Sequence, residues 1–393
     1  MLKNHENDKI RLLSISGCRI PVVRLLWEQV DWVQFPAARP MKTFMWYFYV
    51  LKSLRYLKKN KRFIYFILAS LAIGGFFGSL VTKIELKKNL VPINDIQGIH
   101  DANVNYKFIN PLLAVDIPDQ KDFTEFTPFQ AKVQALVQQL QNSGKTDAVG
   151  FYFRDFNTGH WVGIGENNSF FPASLLKVPL LIAYYKEAES DTKIFSQKLT
   201  YDGKTDSNAV QFVKPSQVLQ AGQGYTIEDL IHRMIVYSDN NAANLLVLNI
   251  DQNSFQEVYS DLGISLPDTS GNFSDFMSAK QYSLFFRVLR NATYLNREYS
   301  EKALGLLSQV EYKNGLAAGV PPNIVIAHKF GEYVGQNNGQ IEHELHDCGI
   351  IYKPSHPYFL CVMTKGKNEP DLEDDIKKIS NLVYNEVTSN YKN

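Results

Sequence analysis

The segment PASLLKVPLLI at residues 172–182 decides how the rest of the sequence is interpreted. Pro172 and Ala173 precede an apolar helical pattern, so Ser174 is predicted at a helix start, where backbone N–H groups lack partners and the helix dipole is positive. Lys177 follows one turn later on the same face. A serine becomes nucleophilic when a neighbouring base takes its proton, and a lysine can be that base if burial and a nearby cation lower its pKa. The pair indicates a nucleophile with its base, although Ser-x-x-Lys alone also occurs by chance in helices.

A second candidate motif, Ser238-Asp239-Asn240, lies 64 residues after Ser174 and between two predicted helices. The tripeptide can simply cap the helix that begins at Asn240, because such side chains accept hydrogen bonds from free backbone N–H groups. In a catalytic site, Ser238 would instead relay a proton toward the leaving group. Asn240 would then hydrogen-bond a substrate amide and the catalytic lysine, which makes it a candidate substrate-binding residue.

A third candidate motif, His328-Lys329-Phe330-Gly331, lies at the end of a strand-like run over residues 324–330. A lysine on an edge strand that faces a cleft can bind a carboxylate and raise the local positive potential. A glycine at the next position but one lets a substrate approach the backbone closely. The alternative interpretation is a strand end with an ordinary solvated lysine.

The segments around these motifs predict a single α/β domain. Two strand-like runs precede Ser174 and three follow the second motif, with helical periodicity between them. We therefore predict a mostly antiparallel five-stranded sheet, built from both ends of the domain, flanked by helices and carrying an inserted all-helical subdomain. The predicted strands are 147–154, 160–165, 324–330, 347–352 and 358–364, and the predicted helices are 129–141, 174–189, 226–235, 240–249, 278–290 and 372–387.

In their order and spacing, the three motifs resemble the Ser-x-x-Lys, Ser-Asp-Asn and Lys-Thr-Gly set of class A β-lactamases and penicillin-binding proteins. The resemblance runs from about Thr127 to the C-terminal helix. The stretch MIVYSDNNAANLLV at residues 234–247 is especially similar to the second motif, and AHKFG at residues 327–331 to the third. It implies a serine hydrolase of this family that acts through an acyl-enzyme.

The resemblance also implies a role for each motif residue. Ser174 would be the acylated nucleophile and Lys177 its general base. Ser238 would relay the proton, and Lys329 would support that relay and attract an anionic substrate. The oxyanion hole would consist of the backbone N–H groups of Ser174 and Glu332, and Gly331 would let the substrate approach.

The sequence departs from the family pattern in two places. Phe330 stands where members normally have Thr or Ser, whose hydroxyl binds the antibiotic carboxylate. The Glu-x-x-Leu-Asn motif that activates the deacylating water is absent from residues 264–277, where Asp268 and Asp275 are the only carboxylates. Glu166 lies before the nucleophile, near the end of a strand, and is no substitute. This pattern favours slow hydrolysis, or acyl transfer to an amine, over antibiotic resistance.

Three functional hypotheses follow. The first is a serine acyl hydrolase or transferase acting on an amide or ester, such as a β-lactam or a cell-wall peptide. The second is a non-catalytic module on the same fold that binds the cell wall or a partner. The third is a true β-lactamase in which Asp268 or Asp275 replaces the missing base. None of them requires a cofactor or a metal.

The N-terminal third predicts a membrane anchor. Residues 63–82 are 20 uncharged residues, and at 1.5 Å per residue a helix of this length spans a bilayer core of about 30 Å. Six basic residues in the eleven positions before it predict that residues 1–62 are cytoplasmic, residues 83–124 form an outer tether and residues 125–393 form the extracytoplasmic hydrolase domain. A buried core helix and a cleaved signal peptide are the alternatives. The length of the run and the lack of an Ala-x-Ala site favour a single-pass anchor in the cell membrane.

Charge and cysteine content narrow the possible partners. The chain has 41 Lys and Arg against 40 Asp and Glu, which does not suggest nucleic-acid binding. Cys348 and Cys361 lie on neighbouring apolar runs, where we expect buried free thiols rather than a bond. The cluster at residues 342–346 (EHELH) looks like a metal site, but its position between strand-like runs predicts a solvated hairpin tip.

Overall fold

The structure of the protein is a computed structural model that describes residues 99–100, 106–114, 127–266, 275–337 and 340–390. The predicted cytoplasmic segment and the predicted transmembrane helix lie outside these residues, as does most of the predicted tether. Within the described ranges, no helix combines the length and the hydropathy that a membrane span requires. The membrane anchor therefore stays a prediction.

The central sheet has five antiparallel strands that come from both ends of the domain. The strands of the described residues are β1 (Ile99–His100), β2 (Leu112–Ala114), β3 (Thr146–Asp155), β4 (Trp161–Ile164), β5 (Ser169–Phe170), β6 (Lys198–Thr200), β7 (Gly224–Thr226), β8 (Met277–Ser278), β9 (Ile326–Asn337), β10 (Gln340–Ile351) and β11 (Tyr358–Gly366). The five-stranded sheet has the order β4-β3-β11-β10-β9, and the other strands form three short pairs. The prediction of a five-stranded antiparallel sheet is confirmed, and β9 lies at one edge.

Helices cover both faces of this sheet. The eight α-helices of the described residues are α1 (Thr127–Asn142), α2 (Lys177–Ala188), α3 (Ile227–Val236), α4 (Asn240–Asn249), α5 (Gln252–Ser260), α6 (Ala279–Asn291), α7 (Arg297–Leu307) and α8 (Glu369–Asn390). Helices α5 and α7 were not predicted. Both are short and polar on one face, and their packing against α2 and α6 is what makes them helical in this fold.

Strand β11 shows how the two layers form. Leu360 and Val362 belong to a hydrophobic cluster with α1 and α8, whereas Phe359 and Met363 belong to the cluster formed by helices α2 to α7. Side chains alternate between the faces of a strand, so a strand that is covered on both sides is apolar throughout. Each such side chain contributes about 1.5–3 kcal/mol when it is fully buried. The central strands are therefore the rigid part of the fold on which the motifs are mounted.

Cys348 and Cys361, the two cysteines of the predicted extracytoplasmic domain, are paired. The expectation of free thiols was therefore wrong. Cys348 on β10 and Cys361 on β11 lie directly opposite each other and form a disulfide bond. The sequence indicated that both residues are buried on neighbouring strands. It did not give the register of the two strands, and this register decides whether the sulfur atoms meet.

The acidic and histidine cluster near residue 343 is not a solvated hairpin tip. Strand β10 begins at Gln340, so Glu344 and His346 lie within the strand and are buried. The strand pairing continues past the end of the predicted strand because residues 331–337 remain in register with β10. Within the described part of the chain, no group of His, Cys, Asp and Glu side chains could hold a metal ion.

Part of the predicted tether packs on the hydrolase domain. Phe108 and Ile109 are buried in the helical core. The carboxylate of Glu301 on α7 accepts hydrogen bonds from the backbone N–H groups of Lys107, Phe108 and Ile109 at 2.9–3.1 Å. A carboxylate that binds three consecutive N–H groups fixes the path of this segment along the domain surface.

Candidate active site

Ser174 lies in a turn of 3₁₀-helix over residues 173–176, directly before α2. Ala173 has a φ of 48°, a left-handed conformation that is unfavourable for a residue with a side chain. Such strain at the entrance to a helix persists only where the surrounding structure imposes it, and it often occurs at functional sites. The Ser174 side chain is partly exposed, and within the described residues its hydroxyl forms no hydrogen bond.

Lys177 begins α2 and is almost completely buried. Its Nζ atom lies 2.7 Å from the carbonyl oxygen of Ser238, 3.1 Å from the Ser238 hydroxyl oxygen and 2.7 Å from Oδ1 of Asn240. Burial lowers the pKa of the Lys177 amine well below its ordinary value, and the charge of Lys329 lowers it further. The site therefore favours the neutral amine, which is the form that can accept a proton.

Ser238 connects the two buried lysines. Its hydroxyl oxygen lies 2.9 Å from Nζ of Lys329 as well as 3.1 Å from Nζ of Lys177. The residue is fully buried and has a φ of 58°. This left-handed turn lets one residue direct both its carbonyl and its hydroxyl at the same amine. A hydroxyl in this position can accept a proton from one group while it donates its own to another.

The second motif is held by a loop that sequence reasoning missed. Asn208 donates to Oδ1 of Asp239 at 2.9 Å and accepts from the backbone N–H of Asn240 at 2.7 Å. Gln211 donates to the carbonyl oxygen of Ser238 at 3.1 Å. Asp239 also caps α4, as the N-cap interpretation predicted. The residues from 206 to 213, which we call the 206–213 loop, have no regular pattern in the sequence, so no local signal could have revealed their role.

Lys329 is fully buried, which excludes the interpretation of a solvated strand end. Its Nζ atom donates to the Ser238 hydroxyl and, at 3.0 Å, to the carbonyl oxygen of Phe330. It also lies 4.0 Å from the centroid of the Phe330 ring. Burial lowers the pKa of Lys329 to about 7, while the carboxylates of Asp347 and Glu332 act in the opposite direction. Near neutral pH this amine therefore exists in both protonation states.

Phe330 is buried and stacks on Tyr312, with ring centroids 4.1 Å apart and an interplanar angle of 22°. The aromatic pair occupies the position beside Lys329 where the family pattern has a hydroxyl. A stacked pair of this kind contributes about 0.5–1.5 kcal/mol beyond its buried area. The departure at Phe330 is therefore accommodated by packing, and this position supplies no hydrogen-bond donor to a ligand.

Gly331 brings β9 against the turn that carries Ser174. A Cβ atom at this position would lie 2.7 Å from the carbonyl oxygen of Pro172 and 3.1 Å from the backbone nitrogen of Leu175. Only glycine allows this approach, because the first of these contacts involves rigid backbone. Glu332, whose backbone N–H is predicted to contribute to the oxyanion hole, is therefore the residue directly after this contact.

The Glu332 side chain extends from β9 to the 206–213 loop. Its Oε1 atom accepts from the backbone N–H of Phe212 at 2.9 Å, and both carboxylate oxygens lie 3.1 Å from the N–H of Val213. Burial raises the pKa of this carboxyl, and the hydrogen bonds from the two N–H groups lower it. Sequence analysis considered only the backbone of Glu332, since nothing in the pattern indicated where its side chain would point.

Of the two predicted candidates for a deacylating base, Asp268 and Asp275, the structure describes only Asp275, and it is engaged by a lysine. Asp275 forms an ion pair with Lys365 at 2.5 Å, Glu166 accepts from the side chain of its neighbour Asn167, and Asp268 lies outside the described residues. In the parts of the chain that the structure describes, no carboxylate forms a hydrogen bond with Lys177.

A second buried network holds the chain just before the nucleophile. Glu344 accepts from the backbone N–H of Phe171 at 3.1 Å, and Nε2 of His346 lies 2.9 Å from the Phe171 carbonyl oxygen. Because Nδ1 of His346 accepts from the N–H of Thr364, Nε2 carries the hydrogen and donates it. Strand β10 thereby binds both the backbone N–H and the carbonyl oxygen of Phe171, which lies three positions before Ser174.

The comparison with protein families agrees with the motifs and the fold. The family model described as the beta-lactamase enzyme family matches residues 128–387. The chain belongs to this family, as the resemblance implied, and its domain has the fold of a β-lactamase-like serine hydrolase.

Individual relatives are distant. β-Lactamase ROB-1 of Haemophilus influenzae is 28% identical over 164 residues, which are 42% of this chain and 50% of that protein, so the match spans about half of the relative. The solved structure of PBP-A covers 70% of this chain and 100% of its own, with a TM-score of 0.56 and 20% identity. A β-lactamase from Sphaerobacter thermophilus covers 66% of this chain and 97% of its own, with a TM-score of 0.55 and 21% identity. At these identities the solved structures establish the fold alone.

Proposed function

We propose that the protein is a serine acyl hydrolase or transferase that forms an acyl-enzyme through Ser174, with an amide, an ester or a β-lactam as substrate. The observation that carries this proposal is the Ser238 hydroxyl held between the buried amines of Lys177 and Lys329. Two buried amines beside a partly exposed serine are costly for stability, since neither has a carboxylate partner within hydrogen-bond distance. In acyl transfer, these two amines would accept and relay protons, which gives a reason for their burial.

The proposed acylation proceeds in two steps. The neutral amine of Lys177 takes the proton of the Ser174 hydroxyl while the serine oxygen bonds to the carbonyl carbon. The bond to the leaving group then breaks, and Ser238 passes the proton from Lys177 to the departing nitrogen or oxygen. Lys329 stabilises the relay, and the N–H groups of Ser174 and Glu332 would each contribute about 3 kcal/mol of transition-state stabilisation as the oxyanion hole.

We further propose that release of the acyl group is slow in water. No described carboxylate contacts Lys177, and Asp275 is engaged by Lys365. A mutant of PBP-A has been solved as an acyl-enzyme complex with penicillin G, so a protein of this fold can hold such an intermediate. An amine acceptor could remove the acyl group where water reacts slowly, which would make the protein a transferase.

We propose that this chemistry takes place outside the cytoplasm, on a domain tethered to the cell membrane by residues 63–82. The support comes from the sequence: an uncharged run of bilayer length with its larger basic excess on the N-terminal side. Protease protection in intact cells tests the proposal. The hydrolase domain should be digested from outside, and full protection of it would contradict the predicted orientation.

A second candidate function is a non-catalytic module that binds the cell wall or a partner. Phe330 favours it, because this residue removes the hydroxyl that the family uses to bind ligand. Phenotype and ligand binding of Ser174→Ala distinguish the two proposals. An unchanged phenotype and unchanged binding would favour the module.

The enzyme proposal is tested by covalent labelling of the full-length chain. A fluorescent penicillin and a fluorophosphonate should each modify the peptide that contains Ser174, as identified by mass spectrometry. Ser174→Ala should lose this label, whereas Ser196→Ala, which changes an exposed serine outside the three motifs, should keep it. Failure of both reagents to react at Ser174 would refute the proposal.

A further inference from the structure

Phe330 and Glu332 are consecutive same-face residues of the edge strand β9; Phe330 is buried, and Glu332 is partly exposed. Residues two apart in a strand share a face, so the aromatic ring and the carboxylate lie side by side. Gly331 between them marks the point where the strand meets the Ser174 turn. Both side chains are close to the Ser238 cluster, because the Phe330 ring lies 4.0 Å from Nζ of Lys329 and Glu332 binds the loop that also binds the Ser238 carbonyl oxygen.

This part of strand β9 offers little to a negatively charged group. Phe330 has no donor, and its ring is packed against Tyr312. Lys329 is fully buried, and its amine already donates to the Ser238 hydroxyl and the Phe330 carbonyl oxygen. Lys214, the basic residue next to the 206–213 loop, has its amine bound to the backbone carbonyl oxygens of Asn208 and Ala209.

The Glu332 carboxylate lies at the same place. It accepts hydrogen bonds from the backbone N–H groups of Phe212 and Val213, which hold it between β9 and the 206–213 loop. Burial lowers the pKa values of Lys177 and Lys329, and the charge of Glu332 acts against this lowering. A second carboxylate bound at this part of β9 would be repelled by it.

Apolar side chains lie on the same loop. Val210 and Phe212 are 86% and 55% exposed, although both are hydrophobic. Phe212 also supplies one of the N–H groups that bind Glu332. Exposed apolar residues beside a polar site favour an apolar ligand group.

Resting on the proposed function, we propose that the site accepts acyl donors with an uncharged, apolar leaving group and discriminates against a carboxylate beside the scissile bond. Glu332 sets this preference. In peptide terms, the class of substrate is an amidated or otherwise neutral peptide end, or an ester, in place of a free C-terminal carboxylate.

The experiment compares benzylpenicillin with its methyl ester, which differ only in the carboxylate. Acylation of Ser174 in the full-length chain is followed by intact-protein mass spectrometry, and each rate is divided by the rate of hydroxide attack on the same compound. The wild-type protein should react with the ester about tenfold faster or more, as expected for one repelled charge at a partly buried site. Equal corrected rates, or a preference for the acid, would overturn the proposal.

Two variants test whether Glu332 is the residue that causes the preference for the uncharged compound. Glu332→Gln keeps the length of the side chain and one acceptor for the loop, and it should shift the ratio of acid to ester rates about tenfold toward the acid. Glu342→Gln, the same change on the neighbouring strand β10, should leave the ratio as in the wild type. A folded Glu332→Gln with an unchanged ratio, or one that no longer reacts with either compound, would show that Glu332 does not act as a charge filter.

The outcomes separate this inference from the proposed function. If neither compound modifies Ser174 in the wild-type chain, the proposed function fails. If the ester acylates Ser174 but the corrected rates for acid and ester are equal, the proposed function stands. Only the proposed discrimination against a carboxylate then fails.

Discussion

The Ser238 cluster and the edge strand β9 are adjacent, yet they follow the family pattern to very different extents. The cluster of Lys177, Ser238 and Lys329 keeps each residue type that acylation requires, joined by hydrogen bonds of 2.9–3.1 Å. Strand β9 instead carries an aromatic ring where the pattern has a hydroxyl, and it carries a carboxylate two residues later. Under the proposed function, the difference indicates that the residues for acyl capture follow the family pattern while a residue for substrate recognition departs from it.

A physical reason for this separation lies in the burial of the two regions. The Ser238 cluster is buried, so a replacement that leaves one of its polar groups without a hydrogen-bond partner costs about 1–3 kcal/mol for that group. The outer face of β9 borders a cleft, where a new side chain can find a new partner, as Glu332 does with the 206–213 loop. Recognition can therefore change without loss of the fold.

The largest expected effect comes from removing the proposed base. Lys177→Met should lower the rate of Ser174 acylation by about 10²–10⁴-fold, the usual contribution of a general base. The free energy of unfolding should fall little or even rise, because methionine does not place an amine in an apolar site. The measurement is labelling kinetics together with chemical denaturation. Lys193→Met, at an exposed turn, is the control, and a Lys177→Met protein that acylates normally would exclude Lys177 as the base.

The next effect tests whether the contact between β9 and the nucleophile turn is essential. Gly331→Ala introduces a Cβ that would lie 2.7 Å from the Pro172 carbonyl oxygen, so β9 must move away from the Ser174 turn. If the Glu332 N–H belongs to the oxyanion hole, acylation should fall about 10²–10³-fold.

Gly335→Ala on the same strand is the matched control. A Cβ there meets the ring of Tyr333, a side chain that can move, rather than backbone. Comparable acylation by Gly331→Ala and Gly335→Ala would contradict a role for the β9 backbone in catalysis.

A smaller effect concerns the pH dependence of stability. The pKa of Lys329 is about 7 in the folded protein and about 10.4 in an unfolded chain, so between these values the unfolded state binds more protons. The free energy of unfolding should therefore increase with pH over this interval, by at most about 1.4 kcal/mol per pH unit from this group. Lys177, whose pKa is lowered for the same reason, contributes in the same direction.

Urea denaturation at several pH values between 7 and 10 measures this dependence. Lys329→Met should reduce the slope, and it should be more stable than the wild type below pH 7, where the buried charge is most costly. An identical slope in the wild type and in Lys329→Met would contradict the lowered pKa. Lys302→Met, which changes an exposed lysine on α7, is the control for a general charge effect.

The smallest expected effect tests the hypothesis of an unrecognised deacylating base. Asp275→Asn should change the rate of acyl-enzyme release by less than about threefold, because this carboxylate is bound by Lys365. Nitrocefin turnover after the first stoichiometric burst measures the release. A loss of turnover of tenfold or more in Asp275→Asn would favour a β-lactamase that uses Asp275.

Much of the fold could be predicted because its signals are local. The five strands and most of the helices were found from periodicity, and Thr226 and Asp239 cap the helices that follow them. The ends of the strands were predicted less accurately. Strand β9 was predicted to end at Phe330, whereas pairing with β10 extends it to Asn337. Pairing between strands, which the sequence pattern does not contain, decides where such a strand ends.

The residues of the candidate site were predictable as types, but their contacts were not. The motif sequence placed Ser174 at a helix start and indicated Lys177, Ser238 and Lys329 as a set, and the structure brings the last three into one cluster. Asn208 was missed because a single asparagine in an irregular loop carries no pattern.

By itself, the sequence determined which residues are candidates for the chemistry, where the five strands of the sheet and most of the helices lie, and that a membrane anchor is to be expected. Only the tertiary structure decided that Cys348 pairs with Cys361, that one serine hydroxyl lies between two buried amines, and that Glu332 reaches the opposite wall of the cleft. The reason is that side-chain type and periodicity act over a few neighbouring residues. Strand register and the packing of distant segments, in contrast, are set by the free energy of the whole domain.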